Sequence, residues 1–236
     1  MSEFRGRRLG LVGGTSWVSS AHYYRVLNQA VAERLGGSHS APLTLWSVEF
    51  GEFARLQHEG DWAAVARILA DAARRLVDAG CEGIALAANT THLVADDVRA
   101  AIGGVPLLDL VDLTADAVAD RRRVGLLGTR FTMGAAMFPE RLATRGVEVV
   151  VPPDEAQQRV HDVIYDELTR DVVSEQARSD YLAVIDKLAA DGAEAVLLAC
   201  TEQGLLLHDG DAAVPLVDTT EVHCRALVDF MLGDKA

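Results

Sequence analysis

Two short segments contain the residues best suited to chemistry, and the first is Cys200-Thr201-Glu202, which directly follows the apolar run 195–199. If that run is a strand that leads into a helix, the thiol of Cys200 faces backbone N–H groups. These groups stabilise a thiolate, so we expect a lowered pKa for Cys200. The alternative is a small buried residue that only packs. Because Thr201 and Glu202 are unusual choices for an apolar core, we predict that Cys200 is catalytic.

The second segment is Asn89-Thr90-Thr91, which offers an amide, hydroxyls and the N–H groups of a helix start. This combination is suited to binding a carboxylate. The same residue types are also common helix N-caps, and both interpretations can hold together. His92 and His223 are either proton carriers or structural histidines, and the sequence leaves this open.

The two segments correspond to each other at an offset of 112 residues, from Gly80 to Gly192. In this alignment Cys200 falls opposite Ala88, which has no ionisable group. The other two cysteines, Cys81 and Cys224, are expected to pack in the core. The odd number of cysteines, none in a Cys-x-x-Cys pair, favours neither a disulfide framework nor a cysteine-rich metal site.

The elements that must position these residues also repeat. The segments 123–129 and 214–219 match 8–14 and 105–110, and apolar runs alternate with helical patterns. This order predicts an α/β fold with two pseudo-symmetric, doubly wound parallel-sheet halves and the active site in the cleft between them, where strands end. We assign residues 1–104 and 216–236 to the first Rossmann-like domain and 105–215 to the second. The predicted elements include strands over 43–50 and 105–110 and helices over 21–35, 61–79, 91–101, 155–168 and 175–190.

Composition narrows the function classes. The chain has 236 residues, half of them hydrophobic, and a net charge of −13, which argues against a nucleic-acid partner or an anionic membrane surface. No apolar run is long enough for a membrane span, and the N-terminus lacks the pattern of a signal peptide, so we expect a cytoplasmic protein. Neither a dinucleotide nor a phosphate-loop motif is present, and no metal-ligand spacing is seen. These observations give little support for a nucleotide cofactor and none for a metal.

Six motifs in order resemble those of the aspartate/glutamate racemase family. They are Gly13-Gly14-Thr15-Ser16-Trp17, Ser47-Val48-Glu49-Phe50, Ala88-Asn89-Thr90-Thr91-His92, Leu127-Gly128-Thr129-Arg130-Phe131-Thr132-Met133, Ala199-Cys200-Thr201-Glu202 and Asp218-Thr219-Thr220-Glu221-Val222-His223. The resemblance implies a homodimer and cofactor-independent proton transfer at an amino acid α-carbon. In that family two cysteines act from opposite faces, one before Asn-Thr and one before Thr-Glu.

This sequence departs from the family pattern, because Ala88 occupies the first cysteine position and Val18 replaces a usual glutamate. The resemblance therefore implies a one-thiol variant with Cys200 as the catalytic residue. The basic residues that hold a distal carboxylate in aspartate-specific members have no clear counterpart, and Arg130 or Arg55 are candidates for that role. The substrate-binding residues are predicted to be Thr15, Ser16, Asn89, Thr90, Thr91, Thr129, Arg130, Thr201 and Glu202.

The leading hypothesis is an amino acid racemase or epimerase that uses a single cysteine, with a small amino acid or carboxylate as substrate. A water near Ala88, Thr90 or Thr15 would complete the proton exchange. Two alternatives stay open: a one-sided decarboxylase or isomerase that uses the same cysteine, and a non-catalytic carboxylate-binding relative.

Overall fold

The computed structural model describes residues 6–208 and 210–233. These residues form two compact units, one with residues up to Asp109 and from His223 onward, and one from Leu110 to Val222. The divisions fall a few residues after the predicted ones at 104/105 and 215/216. The prediction that the N-terminus lacks a signal peptide rests in part on residues 1–5, and these residues lie outside the described range. Among the described residues, no helix is long and apolar enough to cross a membrane.

The chain up to Asp109 alternates strands and helices. The elements are β1 (Leu9–Gly13), α1 (Trp17–Leu35), β2 (Leu43–Ser47), α2 (Phe50–Glu59), α3 (Trp62–Asp78), β3 (Gly83–Leu86), a 3₁₀ turn (Thr90–Val94) and α4 (Ala95–Ala101). The strands form a parallel sheet in the order β2-β1-β3. Side chains that cap helices explain several boundaries, such as Asp61, which accepts a hydrogen bond from the Ala64 N–H at 2.9 Å.

The chain from Leu110 repeats this alternation. Its elements are α5 (Leu110–Ala117), β4 (Arg123–Gly128), α6 (Arg130–Met133), α7 (Met137–Ala143), β5 (Glu148–Val150), α8 (Asp154–Asp166), a 3₁₀ turn (Leu168–Arg170), α9 (Glu175–Ala190), β6 (Val196–Ala199), α10 (Gln203–Leu206), β7 (Leu216–Asp218) and α11 (Thr219–Leu232). The second sheet is also parallel, in the order β5-β4-β6-β7. Most of α11 belongs to the first unit.

The two sheets share one topology. In each unit the first strand lies between the next two, so β2-β1-β3 corresponds to β5-β4-β6. The matched segment 105–110 behaves differently from its copy in β7. Leu107 makes only an isolated parallel bridge to Ile84, and α5 begins at Leu110, so the predicted strand over 105–110 is wrong in extent. Each copy has a proline, at 106 and at 215, and a helix that begins at Leu110 or at Thr219, so at most three residues between them are left for pairing.

In the first sheet β1 and β3 are buried on both faces, whereas the edge strand β2 is partly exposed. Successive residues of β1 enter different clusters: Leu9 and Leu11 pack with α1 and α11, and Val12 packs with α2 and α3. The second unit has its own core, in which Val124, Leu126 and Leu127 of β4 are fully buried. Each sheet is therefore a rigid support for the loops at the carboxyl ends of its strands.

Candidate functional site

Cys200 follows the central part of the second sheet. Gly128 at the end of β4 pairs with Ala199 at the end of β6, and Asp218 of β7 pairs with Leu198. Thr129 and Cys200 therefore leave neighbouring strands at the same edge. Thr129 caps α6, because its hydroxyl accepts a hydrogen bond from the Thr132 N–H at 3.2 Å. The second unit thus brings the predicted residues Thr129, Arg130, Cys200, Thr201 and Glu202 to one edge of its sheet.

The thiol of Cys200 lies against a carboxylate. Its Sγ donates a hydrogen bond to Oε2 of Glu202 at 3.1 Å, and both residues are buried, with relative exposures of 9% and 4%. Burial raises the pKa of Cys200 well above its ordinary value, and the charge and hydrogen bond of Glu202 raise this pKa further. The resting state is therefore a neutral thiol that is hydrogen-bonded to the Glu202 side chain.

The predicted lowering of the Cys200 pKa is wrong. The helix that follows, α10, has four residues, so it offers only a weak dipole. The backbone N–H of Glu202 does lower the pKa of the thiol, but burial and the Glu202 carboxylate outweigh it. The sequence predicts a thiolate-stabilising helix after Cys200, whereas in the structure the Glu202 carboxylate lies next to the thiol.

A second carboxyl group lies in the same unit. Burial raises the pKa of Asp218 to about 6, and its charge contributes to the raised pKa of Cys200. Oδ1 of Asp218 accepts a hydrogen bond from the Thr220 N–H at 2.7 Å, at the start of α11. A Cβ atom at Gly204 would lie 2.6 Å from Oδ2 of Asp218, so glycine is needed for this approach.

Sequence reasoning missed the contribution of α8. Tyr165 is close enough to Cys200 and Glu202 for their charges to raise its pKa, together with burial as the largest cause. The rings of Tyr165 and His161 have centroids 4.7 Å apart, and Nδ1 of His161 accepts a hydrogen bond from the Arg130 N–H at 3.3 Å. His161 and Tyr165 are four residues apart on a helix, which was the available signal that they share a face.

The two basic candidates for distal carboxylate binding differ. Arg130 is exposed, and its guanidinium donates a hydrogen bond to the amide oxygen of Gln158 at 2.7 Å. Arg55 lies on α2 and forms an ion pair with Glu59 of the same helix at 2.5 Å. The guanidinium of Arg130 thus has a neutral partner, whereas that of Arg55 has an anionic one.

The first unit brings the remaining predicted residues together after β1 and β3. The carbonyl of Ala88 accepts hydrogen bonds from the Thr91 hydroxyl at 2.6 Å and from Nδ1 of His92 at 2.9 Å. Asn89 is buried and precedes the 3₁₀ turn, and its side chain makes no capping hydrogen bond there. Thr90 begins this turn and is partly buried.

Serine side chains fix the loop between β1 and α1. The Ser20 hydroxyl accepts from the Gly14 N–H at 2.7 Å and donates to the Ser16 carbonyl at 2.9 Å. The Ser16 hydroxyl accepts from the Ser19 N–H at 3.3 Å, which caps α1. These bonds hold Thr15 between two anchored residues.

His92 and His223 have structural hydrogen bonds. Nδ1 of His223 accepts from the Tyr23 hydroxyl at 2.9 Å, so its Nε2 carries the hydrogen and donates to the Leu108 carbonyl at 2.8 Å. Burial lowers the pKa of His223 to about 3 and also lowers that of His92. Both imidazoles are therefore neutral at pH 7, and they hold the carbonyls of Ala88 and Leu108 in place.

Solved structures resemble this chain over almost its full length. It is 44% identical to a Yersinia pestis protein described as a candidate Asp/Glu racemase, with a TM-score of 0.87 and coverage of 96% of this chain and 99% of that chain. It is 34% identical to an aspartate racemase homologue from Pyrococcus horikoshii, with a TM-score of 0.82 and coverage of 95% and 99%.

One relative is named as an amino-acid racemase. The chain is 23% identical over 168 residues to the broad-specificity amino-acid racemase of Bacillus subtilis, which covers 71% of this chain and 72% of that protein. The model of the Asp/Glu/Hydantoin racemase family matches residues 12–227. With the two parallel sheets and their repeated topology, this match shows that the chain belongs to the Asp/Glu/Hydantoin racemase family.

Proposed function

We propose that this protein is a cofactor-independent amino acid racemase or epimerase in which a single cysteine, Cys200, moves the proton at Cα. The observation that carries the proposal is the hydrogen bond of 3.1 Å from the buried Cys200 thiol to the Glu202 carboxylate. A cysteine that only packs in a core does not need an acidic partner. Burial of a carboxylate destabilises the folded state unless the carboxylate is paired or hydrogen-bonded, so a carboxylate kept beside a thiol suggests a chemical role.

Glu202 acts as the proton acceptor for the thiol in this mechanism. Because the pKa of Cys200 is raised, the thiol is neutral at rest and must lose its proton before it can act as a base. Transfer of this proton to Oε2 of Glu202 gives a thiolate next to a neutral carboxylic acid. The thiolate then removes the Cα proton of the bound amino acid, and the pair of electrons left on Cα is delocalised into the α-carboxylate.

The substrate α-carboxylate is proposed to bind to hydroxyl, amide and backbone N–H groups of Asn89, Thr90 and Thr129. Preorganised donors of this kind stabilise the charge that develops as the proton leaves. Of the other predicted residues, Arg130 and Thr201 are proposed to contact the substrate, whereas Thr15 and Ser16 lie in the loop between β1 and α1. The Thr91 hydroxyl is already bonded to the Ala88 carbonyl, so its role is to shape the loop. The proposed role of Glu202 is to accept the proton of the Cys200 thiol.

A single thiol makes the two directions of the reaction unequal. Cys200 can remove or return a proton on only one face of Cα, and Ala88 provides no acid or base for the other face. A water molecule then completes the exchange. We therefore expect one enantiomer to be converted faster than the other.

Chiral chromatography tests the proposed activity. The purified protein is incubated with the L and D forms of aspartate, glutamate and a panel of neutral and basic amino acids, and the opposite enantiomer is quantified. We expect at least one pair to interconvert, with the activity lost in Cys200→Ser. Cys81→Ala is the matched control, because Cys81 is also buried but lies outside the candidate site.

Other outcomes contradict the proposal. Release of carbon dioxide from a substituted malonate, without racemisation of any amino acid, would indicate a one-sided decarboxylase. Thermal stabilisation by an amino acid without turnover would indicate a carboxylate-binding protein. The homodimer, the cytoplasmic location and the independence from cofactors stay predictions.

A further inference from the structure

The hydroxyl groups near Ala88 are almost all engaged by the backbone. Thr91 donates to the Ala88 carbonyl at 2.6 Å, and Ser19 donates to the Ala87 carbonyl at 2.8 Å. Ser16 and Ser20 are engaged in the loop between β1 and α1. These side chains therefore hold the two loops in position.

Thr15 is different. Its Oγ1 is buried and has no hydrogen-bond partner among the described residues. A buried hydroxyl without a partner destabilises a folded protein, so a group that is kept in this state usually has a ligand or water to bind. The loop cannot easily turn Thr15 away, because the residues on both sides are anchored through Ser20.

The sheet places the loops that contain Thr15 and Ala88 at the same edge. Val12 of β1 pairs with Leu86 of β3, and the Ala87 N–H donates to the Val12 carbonyl at 2.9 Å. Thr15 and Ala88 thus follow neighbouring parallel strands at their carboxyl ends, within a few residues of this pair. The hydrogen bond from Ser19 to the Ala87 carbonyl closes the two loops against each other.

We propose that the Thr15 hydroxyl binds the water molecule that protonates Cα on the face that Cys200 does not serve. This inference rests on the proposed function, and it names the group that replaces a second thiol at the position of Ala88. Thr15 is a positioning residue here, since its hydroxyl orients the water and does not itself exchange a proton with Cα.

The proton balance of this step closes. The electron pair on Cα takes a proton from the water, forming a C–H bond and leaving hydroxide. The proton that Glu202 received from the Cys200 thiol then neutralises this hydroxide by way of solvent. The thiolate has meanwhile taken the original Cα proton. The protein returns to a neutral thiol beside a Glu202 carboxylate, and the water is regenerated.

The test separates exchange from inversion. In deuterium oxide, Cys200 alone can remove the Cα proton and return a deuteron to the same face, which labels the substrate with retention. Inversion needs the second face and therefore the water. Both rates are measured for each enantiomer, by mass spectrometry and chiral chromatography, in the wild type, Thr15→Val and Thr15→Ser.

For the enantiomer whose Cα proton faces Cys200, we expect Thr15→Val to reduce inversion about tenfold or more, with exchange under retention changed less than about threefold. Thr15→Ser, which keeps the hydroxyl, is expected to restore inversion. Equal inversion rates in the wild type and Thr15→Val would overturn the inference. So would a loss of both processes in a Thr15→Val protein with an unchanged melting temperature, because that outcome places Thr15 in substrate binding. Failure of the wild type to exchange any amino acid would instead refute the proposed function.

Discussion

At the scale of single residues, the contact between Cys200 and Glu202 decides which chemistry is available. An isolated buried thiol is a poor base, because burial disfavours its charged form. The Glu202 carboxylate, 3.1 Å from the thiol, disfavours the thiolate further through its negative charge, but it also provides an acceptor for the thiol proton. The two side chains therefore act as a hydrogen-bonded pair of a proton donor and a proton acceptor.

Replacing Glu202 by glutamine separates these two effects. Glu202→Gln removes a negative charge, so we expect the pKa of Cys200 to fall, which can be measured by thiolate ultraviolet absorbance with Cys200→Ser as the reference. The same variant loses the proton acceptor, so Cα exchange at pH 7 is expected to fall about 100-fold. A fall in pKa accompanied by faster exchange would show that Glu202 only suppresses the thiolate.

Titration of the thiol offers a second prediction at this scale. Because the pKa of Cys200 is raised, the thiolate absorbance of the free protein, with Cys200→Ser as the reference, is expected to stay low from pH 7 to pH 9. Asp218→Asn removes a nearby charge and should move the rise in thiolate absorbance to lower pH, since Asp218 also raises the pKa of Cys200. Full thiolate absorbance from Cys200 already at pH 7 would contradict a neutral resting thiol.

At the scale of elements, the loops after β1 and β3 depend on the backbone as much as on side chains. Gly14 has a φ of +91°, and a Cβ there would lie 2.2 Å from the Val48 carbonyl oxygen. The tight approach between this loop and the end of β2 is therefore possible only with glycine. It also fixes the position from which Thr15 extends.

Gly14→Ala is expected to destabilise the protein more than Gly60→Ala. Gly60 also has a positive φ, of 75°, but a Cβ there meets nothing within 4 Å, so it pays only the backbone penalty of about 1 kcal/mol. The added clash at Gly14 is expected to lower the free energy of unfolding by a further ~1 kcal/mol or more. Chemical denaturation measures both variants, and equal losses would mean that the loop adjusts freely.

Much of this element level was predictable from the sequence. Asp61 was correctly expected to cap a helix, and α9 was predicted with its observed bounds, because periodic apolar positions and cap residues act locally. Helix α2 was missed, and the predicted strand over 43–50 is too long, because β2 ends at Ser47 and α2 begins at Phe50. Its start depends on Glu49, whose carboxylate accepts hydrogen bonds from the N–H groups of Gly51 and Glu52.

The candidate site was predicted less completely, for a physical reason. Cys200 and the neighbours that follow in sequence could be found from their residue types. The raised pKa of Cys200 and the approach of Tyr165 depend on packing between segments that are far apart in the chain. No local pattern contains that information.

At the scale of the whole molecule, the two units share one strand topology but carry different chemical groups at the ends of their strands. Both units present loops at the carboxyl ends of a three-strand parallel core, yet the second carries a thiol with an acidic partner and the first carries Ala88. In the first unit, neutral histidines support the loop instead. The buried histidines therefore affect the free energy of unfolding, whereas the thiol and its acidic partner determine the chemistry.

The buried histidines predict that the protein loses stability in acid. The unfolded chain binds protons near pH 6.5, while burial lowers the pKa of His223 to about 3 in the folded state. Stability is therefore fully present above pH 6.5 and is lost as the pH falls, by about 2 kcal/mol at pH 5 for this group. Thermal unfolding between pH 7.5 and 5 measures the effect.

His223→Gln is the matching variant, because an amide can donate to the Leu108 carbonyl and accept from Tyr23 without titrating. We expect it to be less stable than the wild type at pH 7.5 but to show a flatter dependence on pH. A dependence as steep as that of the wild type would assign the acid sensitivity to other groups.

The most direct test of the central claim is Cα deuterium incorporation in deuterium oxide, measured for the best amino acid substrate with the wild type and Cys200→Ala. The account predicts that the wild type labels Cα and that Cys200→Ala, with unchanged folding, labels it at no more than the uncatalysed rate. Labelling by Cys200→Ala at the wild-type rate would contradict the claim that the Cys200 thiol moves the proton.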